Sequence, residues 1–209
     1  MPDLQAWQQG LQALKSNPSE PQLEKLQAYL QLLQRWNKVY NLTAVRNPES
    51  MLTLHIFDSL AVADYIQGDN CLDVGSGAGL PGIPLAIMQP NRQFTMLDTN
   101  GKKTRFIQQA IIQLGLNNVK VVQTRVEEWQ PEQKFSAIIS RAFASIEDFV
   151  SSTAGCLQDN GIFYAMKGQL DQIELDELPK EFELKHTHPL IVPMLDAQRH
   201  LLEIRRRSC

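Results

Sequence analysis

Leu72-Asp73-Val74-Gly75-Ser76-Gly77-Ala78-Gly79-Leu80-Pro81-Gly82-Ile83-Pro84 places four glycines between a short apolar run and a second apolar stretch punctuated by proline. Glycine reaches positive φ without steric cost, so such a stretch can carry a strand through a tight turn into a helix. The helix start then offers unpaired N–H groups and a partial positive charge to whatever sits above it. An anionic or nucleotide-like group is the expected occupant. A loop that is merely tight would use the same glycines, so the turn needs support from its surroundings.

Working outward, short apolar runs alternate with helical stretches. Cys71–Val74, Phe94–Leu97, Val119–Gln123, Phe135–Ser140 and Ile162–Met166 read as buried strands, with helices at about 82–88, 101–114, 146–157 and 169–177. Alternation of this kind predicts an α/β, Rossmann-like fold with a mostly parallel sheet and helices on both faces. Glu183–Val192 and Arg199–Arg206 are joined by a link too short for a crossover helix and should close the sheet as an antiparallel hairpin. Before Asn70 there is no strand signal. Ser19-Glu20-Pro21-Gln22 starts a helix striped by Leu23, Leu26, Leu30, Leu33 and Trp36; Asn47-Pro48-Glu49 starts another striped by Leu52, Ile56, Leu60 and Ala63 or Ile66. Residues 1–67 therefore read as a helical extension packed on a single domain at 68–209.

Composition narrows the function. With 209 residues, 43% apolar and 21% charged, the chain should fold around one core. Twenty Lys plus Arg against 23 Asp plus Glu give a net charge of −3, which excludes a whole-surface affinity for nucleic acid and leaves room for a local basic patch. Cys71, Cys156 and Cys209 are far apart, so neither a disulfide framework nor a metal site is expected. The start lacks a signal-peptide pattern and no apolar run reaches membrane length, so a soluble cytoplasmic protein with no membrane partner is expected.

Two patterns overlap in the glycine turn. Gly77, Gly79 and Gly82 satisfy the dinucleotide spacing G-x-G-x-x-G. Gly75, Gly77 and Gly79 form the tighter G-x-G-x-G, with Asp73 inside the preceding strand, as is typical of S-adenosylmethionine sites. That cofactor carries a carboxylate in place of a pyrophosphate, and a tighter loop suffices. Asp98 ends the next strand, where an acid can accept both ribose hydroxyls. It could instead cap the helix that follows, although Thr99 and Asn100 also offer caps.

Further motifs, in order along the chain, extend the pattern: Asn41-Leu42-Thr43-Ala44, His55-Ile56-Phe57-Asp58-Ser59-Leu60, Gly101-Lys102-Lys103, Arg125-Val126-Glu127-Glu128, Ser140-Arg141-Ala142-Phe143-Ala144 and Met166-Lys167-Gly168. With Leu72–Leu85 they closely resemble the glucose-inhibited division protein B family of bacterial small-subunit ribosomal RNA guanine-N7 methyltransferases, from about Leu32 to Ile204. The resemblance implies a class I S-adenosylmethionine-dependent methyltransferase fold. It also implies that Gly75 and Leu80 line the cofactor site, with Gly77, Gly79 and Asp98 contributing, that Val126 and Glu127 meet the adenine, and that Arg141 lies beside the reacting groups. The implied substrate is 16S ribosomal RNA, presented by the small subunit, and the chain is expected to act as a monomer. After the ribose acid, Thr99-Asn100 is a position at which relatives vary.

Guanine N7 holds a lone pair in the ring plane and can attack a sulfonium methyl without losing a proton, so no general base is required. Orientation alone can supply most of the rate. The sequence lacks the [D/N]-P-P-[F/Y] motif of exocyclic-amine methyltransferases after the fourth strand and has no Pro-Cys nucleophile. Arg141 follows that strand at the carboxyl edge of the sheet and could hold guanine O6 or a phosphate bidentately; Phe143 could stack on a base or belong to the core. Arg125 and Lys167 are further candidates for the reacting site. Gly101–Val126 holds Lys102, Lys103, Arg105, Lys120 and Arg125 and no acid, and cations in the first turn of a helix imply a compensating anion. RNA phosphate fits Lys102, Lys103, Arg125 and Arg199, whereas Arg205–Arg207 reads as a solvated face. His55 and Asp58, three apart, are expected to bond to each other on one helix face and to take no part in catalysis. A methyltransferase acting on a small molecule or protein, and a nicotinamide enzyme or nucleotide-binding module, are the competing functions.

Overall fold

A computed structural model describes residues 2–141 and 143–207; Ala142 of the Arg141 motif and Cys209 lie outside them. The chain opens with α1 (Leu4–Ala13), within the stretch expected to be helical although the sequence pattern sets no bounds for it, started by the Asp3 carboxylate accepting from Ala6 N at 2.7 Å. α2 (Glu20–Tyr40) begins where Gln22 Oε1 accepts from Ser19 N (2.9 Å) and ends on Asn41 with φ 52°. The next helix differs from its expected continuous stripe. It is a composite of α3 (Pro48–Met51), a π-helical segment Leu52–Phe57 and α4 (Asp58–Leu60), and it stops at Leu60.

Among the described residues seven strands follow: β1 (Asn70–Val74), β2 (Gln93–Asp98), β3 (Val119–Gln123), β4 (Phe135–Ser140), β5 (Leu157–Lys167), β6 (Phe182–Pro189) and β7 (His200–Arg206). They form one sheet in the order β3-β2-β1-β4-β5-β7-β6. β1 to β5 pair in parallel, and β7 runs antiparallel between β5 and β6. The helices between them are α5 (Gly82–Met88), α6 (Gly101–Leu114), α7 (Ile146–Thr153) and α8 (Gln172–Asp176). Several boundaries move from expectation, among them the start of β5, which lies at Leu157 and not Ile162. α7 gives way to a 3₁₀ turn at Ala154–Cys156, because Leu157 already pairs with Phe135 across a bulge. α8 starts only after Asp171, whose carboxylate accepts from Ile173 N at 2.9 Å. β6 ends at Pro189, and one more link, Leu190 N to Arg199 O at 2.8 Å, closes the hairpin.

Strand side chains alternate between two apolar layers, as period-2 geometry requires. Cys71, Phe94, Met96, Ile139 and Tyr164 join the layer containing Trp7, Leu26, Leu30 and Ile56 of the first 60 residues. Leu72, Leu97, Ile138 and Phe163 face the opposite layer with Phe149 and Val150 of α7. The N-terminal helices thus share a core with one face of the sheet, and Tyr29 Oη reaches through it to donate to Ala78 O at 2.7 Å in the glycine turn. β1 has β2 on one side and β4 on the other, so connections leave their carboxyl ends in opposite directions. A crevice opens at that switch point.

Candidate functional site

The glycine turn sits at this crevice. Gly75 N and Ser76 N both donate to Leu97 O, at 2.8 and 3.1 Å, which folds the turn over the end of β2. Gly75 holds φ 69°, a conformation that side-chain-bearing residues adopt at a cost. Gly82 is required for a different reason: a Cβ there would lie 2.7 Å from Asp73 Oδ2. That oxygen accepts from Gly82 N at 2.9 Å, while Asp73 Oδ1 is buried with no partner. Burial is the main cause that raises the Asp73 carboxyl from 3.8 to about 7, opposed by the Gly82 hydrogen bond and the Arg141 charge.

Asp98 links the turn to the next helix. Its Oδ2 accepts from Gly77 N and its Oδ1 from Asn100 N, both at 2.8 Å. Asn100 in turn caps α6 through bonds from Lys102 N and Lys103 N. Each carboxylate oxygen carries two lone-pair sites, so Asp98 keeps acceptor capacity for a ligand. Around it opens a cleft of about 300 Å³ walled by Gly75, Leu97, Asp98, Val126, Glu127 and Phe143, with Lys103 and Arg125 at its sides. Acceptor oxygens, an apolar wall and a glycine turn in one cleft fit an adenosine cofactor with a short charged tail. Phe143 serves both uses expected for it: it walls the cleft and packs on Phe149 at a 5.3 Å centroid distance.

A second cavity, of about 390 Å³, lies past the end of β4, lined by His55, Asp58, Arg141, Lys167, Arg199 and His200 together with apolar and glycine positions. Arg141 belongs here and is not among the residues walling the first cleft. Asp58, 2% exposed, accepts from Arg141 Nη1 at 3.2 Å and from Arg199 Nε at 3.1 Å; Leu54 O accepts from Arg141 Nη1 at 2.9 Å. Lys167 is paired with Glu174 at 2.5 Å, so its charge is locally balanced. His55 does not bond to Asp58. In the wider π turn, residues three apart no longer stack. The His55 Nε2 meets Thr43 Oγ1 at 3.0 Å instead. Burial, with the Arg141 charge, pulls its imidazole from 6.5 down to about 4.

The other expected residues divide. Gly77 and Gly79, with φ 59° and 82°, shape the turn without walling the cleft. Leu80 is 3% exposed and packs into the core. Lys102 is exposed at the start of α6. The meeting of Arg141 and Arg199 on Asp58 is absent from the sequence reading. Its one sequence signal is the presence of Asp58 in a motif of its own, which reads as an intrahelical pair when a regular helix is assumed.

Strand order 3-2-1-4-5-7-6 with a glycine turn after β1 and an acid ending β2 defines the class I S-adenosylmethionine-dependent methyltransferase fold. Solved structures agree at the level of fold. The chain is similar to a glycopeptide N-methyltransferase MtfA in complex with S-adenosylmethionine (TM-score 0.60, 10% identity, 73% of this chain and 95% of that one). It is also similar to TrmN from Thermus thermophilus (TM-score 0.58, 16% identity, 83% and 53%). Sequence similarity is more specific: the chain belongs to the GidB family, described as rRNA small subunit methyltransferase G, whose pattern matches residues 22–202. It is 48% identical over 197 residues to the ribosomal RNA small subunit methyltransferase G of Shewanella denitrificans strain OS217, covering 94% of this chain and 95% of that protein. To the protein of the same name from Idiomarina loihiensis it is 50% identical over 192 residues, covering 92% and 93%. Among the described residues, no helix is long and apolar enough to cross a membrane, and no cluster of His, Cys, Asp and Glu could hold a metal.

Proposed function

We propose that this chain transfers a methyl group from S-adenosylmethionine to N7 of a guanine in 16S ribosomal RNA, acting as a cytoplasmic monomer on the small subunit. In this reading residues 68–209 are the methyltransferase domain and residues 1–67 an extension that braces its glycine turn through Tyr29. The observation that carries the reading is the adjacency of two cavities at the end of β4: Phe143 walls the first cleft, and Arg141, two residues earlier, lines the cationic second cavity.

S-adenosylmethionine supplies a methyl group on a positively charged sulfur. Asp98 would accept hydrogen bonds from the ribose hydroxyls, Val126 and Glu127 would hold the adenine, and Gly75 would let the turn approach the amino-acid tail. Leu80 acts from within the core by fixing the turn. The acceptor guanine enters from the second cavity, where Arg141 and Arg199 offer cations and Lys167 supports the wall. Lys102, Lys103 and Arg125 attract flanking phosphates. No residue need remove a proton from N7. His55 agrees with that, since burial and the Arg141 charge pull its imidazole down to about 4, which makes it a weak proton acceptor, and its Nε2 already meets Thr43 Oγ1.

The test is transfer of labelled methyl from S-adenosylmethionine to small subunits, and to their naked RNA, from cells lacking this protein, followed by chemical cleavage at N7-methylguanine. One new cleavage site is expected. Transfer to no RNA, or to a position other than guanine N7, refutes the reading.

A further inference from the structure

We infer that Asp58 is a positioning residue that assembles Arg141 and Arg199 into a single fork for a phosphate of the acceptor RNA; the inference rests on the RNA reading above. The two arginines lie far apart in the chain, one after β4 and the other before β7, and where sheet order brings them to one edge a single buried carboxylate takes a bond from each. An arginine on a surface loop loses side-chain entropy when it must be ordered for a ligand. Here the ordering is done in advance. Arg141 is held by Asp58 Oδ2 and Leu54 O, both through Nη1, and Arg199 by Asp58 Oδ1 and Gln198 O through Nε and Nη1. Among the described residues the Nη2 of neither arginine has a protein acceptor, and both side chains line the 390 Å³ cavity.

Charge balance selects the ligand. Two guanidinium groups around one carboxylate leave one net positive charge, because Lys167 is already matched by Glu174. Two planar donor groups with one uncompensated charge suit a tetrahedral, singly charged phosphodiester. The π-helical segment is what makes the arrangement possible. It delivers the Leu54 carbonyl and the Asp58 carboxylate to the same Arg141 nitrogen.

This role has a sign that a passive acid would not share. Deleting a negative charge beside an RNA site should tighten RNA binding if the charge only repels phosphate. Deleting a clamp should loosen it. The experiment measures binding of the full chain to small-subunit ribosomal RNA from cells lacking this protein, between about 50 and about 200 mM salt, alongside calorimetric binding of S-adenosylmethionine. Asp58→Asn is expected to weaken RNA binding by about tenfold or more and to lower the salt slope by about 0.7 for each phosphate no longer neutralised, with cofactor affinity unchanged. Adding Arg199→Gln to Asp58→Asn should weaken it no further. Tighter RNA binding by Asp58→Asn, or losses that multiply in the double variant, overturns the inference and leaves the RNA reading intact. Wild-type protein that binds S-adenosylmethionine and no RNA overturns that reading as well. Should Asp58→Asn fail to fold, Arg141→Lys and Arg199→Lys keep both charges beside Asp58 and remove the fork. A double Lys variant no weaker than the worse single supports the inference, and multiplied losses overturn it.

Discussion

Two buried groups should make the stability of the protein without cofactor depend on pH in opposite directions, and removing either unmasks the other. Asp73 titrates near 7 in the fold against 3.8 when free, because burial favours its neutral form. The native state therefore holds a proton that the unfolded chain has released, and stability falls as pH rises from about 4 to about 7. That span corresponds to about 4 kcal/mol at 1.36 kcal/mol per pH unit. His55 titrates near 4 in the fold against 6.5 when free. Here the unfolded chain binds the extra proton, so stability falls as pH drops from about 6.5 to about 4, by about 3 kcal/mol. Below pH 6.5 the two slopes nearly cancel.

Asp73→Asn removes one of them. Denaturant unfolding at about pH 5, 6, 7 and 8 should then give a difference between variant and wild type that moves by about 3 kcal/mol in favour of the variant from pH 5 to pH 8. The absolute offset also contains a pH-independent cost of about 1–3 kcal/mol, because an amide group inherits the unpartnered Oδ1 position. The slope is free of that cost. All other titrating groups are common to both proteins and drop out of the difference. A difference that stays flat within about 1 kcal/mol over this range, or that moves against the variant, would refute the assignment of a buried, proton-holding Asp73.

Other perturbations test the cofactor cleft and its supports. Asp98→Asn removes a charged acceptor for ribose hydroxyls and should weaken S-adenosylmethionine binding by about 10–100-fold in calorimetry; unchanged affinity would remove Asp98 from the site. Tyr29→Phe strands the Ala78 carbonyl, which accepts from Tyr29 Oη at 2.7 Å, and should cost about 1–3 kcal/mol of stability in denaturant unfolding. A loss below about 0.5 kcal/mol would show that the turn stands without the brace. Gly82→Ala pushes a methyl to 2.7 Å from Asp73 Oδ2. It should lower both the thermal midpoint and cofactor affinity, and a midpoint equal to wild type would contradict the close approach.

The local sequence determined more of this protein than its site. β1, α5, α6, β3 and β4 lie where strand-like runs, Gly82 and the caps around Asn100 place them, because each is decided by interactions within a few residues. The glycine turn and Asp98 were legible for the same reason: a positive-φ turn and a strand-end acid are local features with local chemistry. The start of β5 was not, since Leu157 joins the sheet by pairing with Phe135, 22 positions away. The π segment was likewise invisible, because its residues form an ordinary α-helical stripe and only packing and the demand of Arg141 for the Leu54 carbonyl single out the wider turn.

What tertiary structure alone decided is the pairing of distant charges. Arg141 and Arg199 are 58 residues apart, and Asp58 lies a further 83 positions before Arg141. Periodicity assigns Asp58 to His55, and nothing in the spacing of the two arginines places them beside it. Sheet order brings the ends of β4 and β5 and the start of β7 to one edge, and the N-terminal extension carries Asp58 up against them. A buried carboxylate in a low-dielectric interior must then find cations from whatever parts of the chain arrive there. Spacing along a sequence encodes the geometry of one helix or one strand; the cavity is made by four segments meeting, and its chemistry belongs to that meeting.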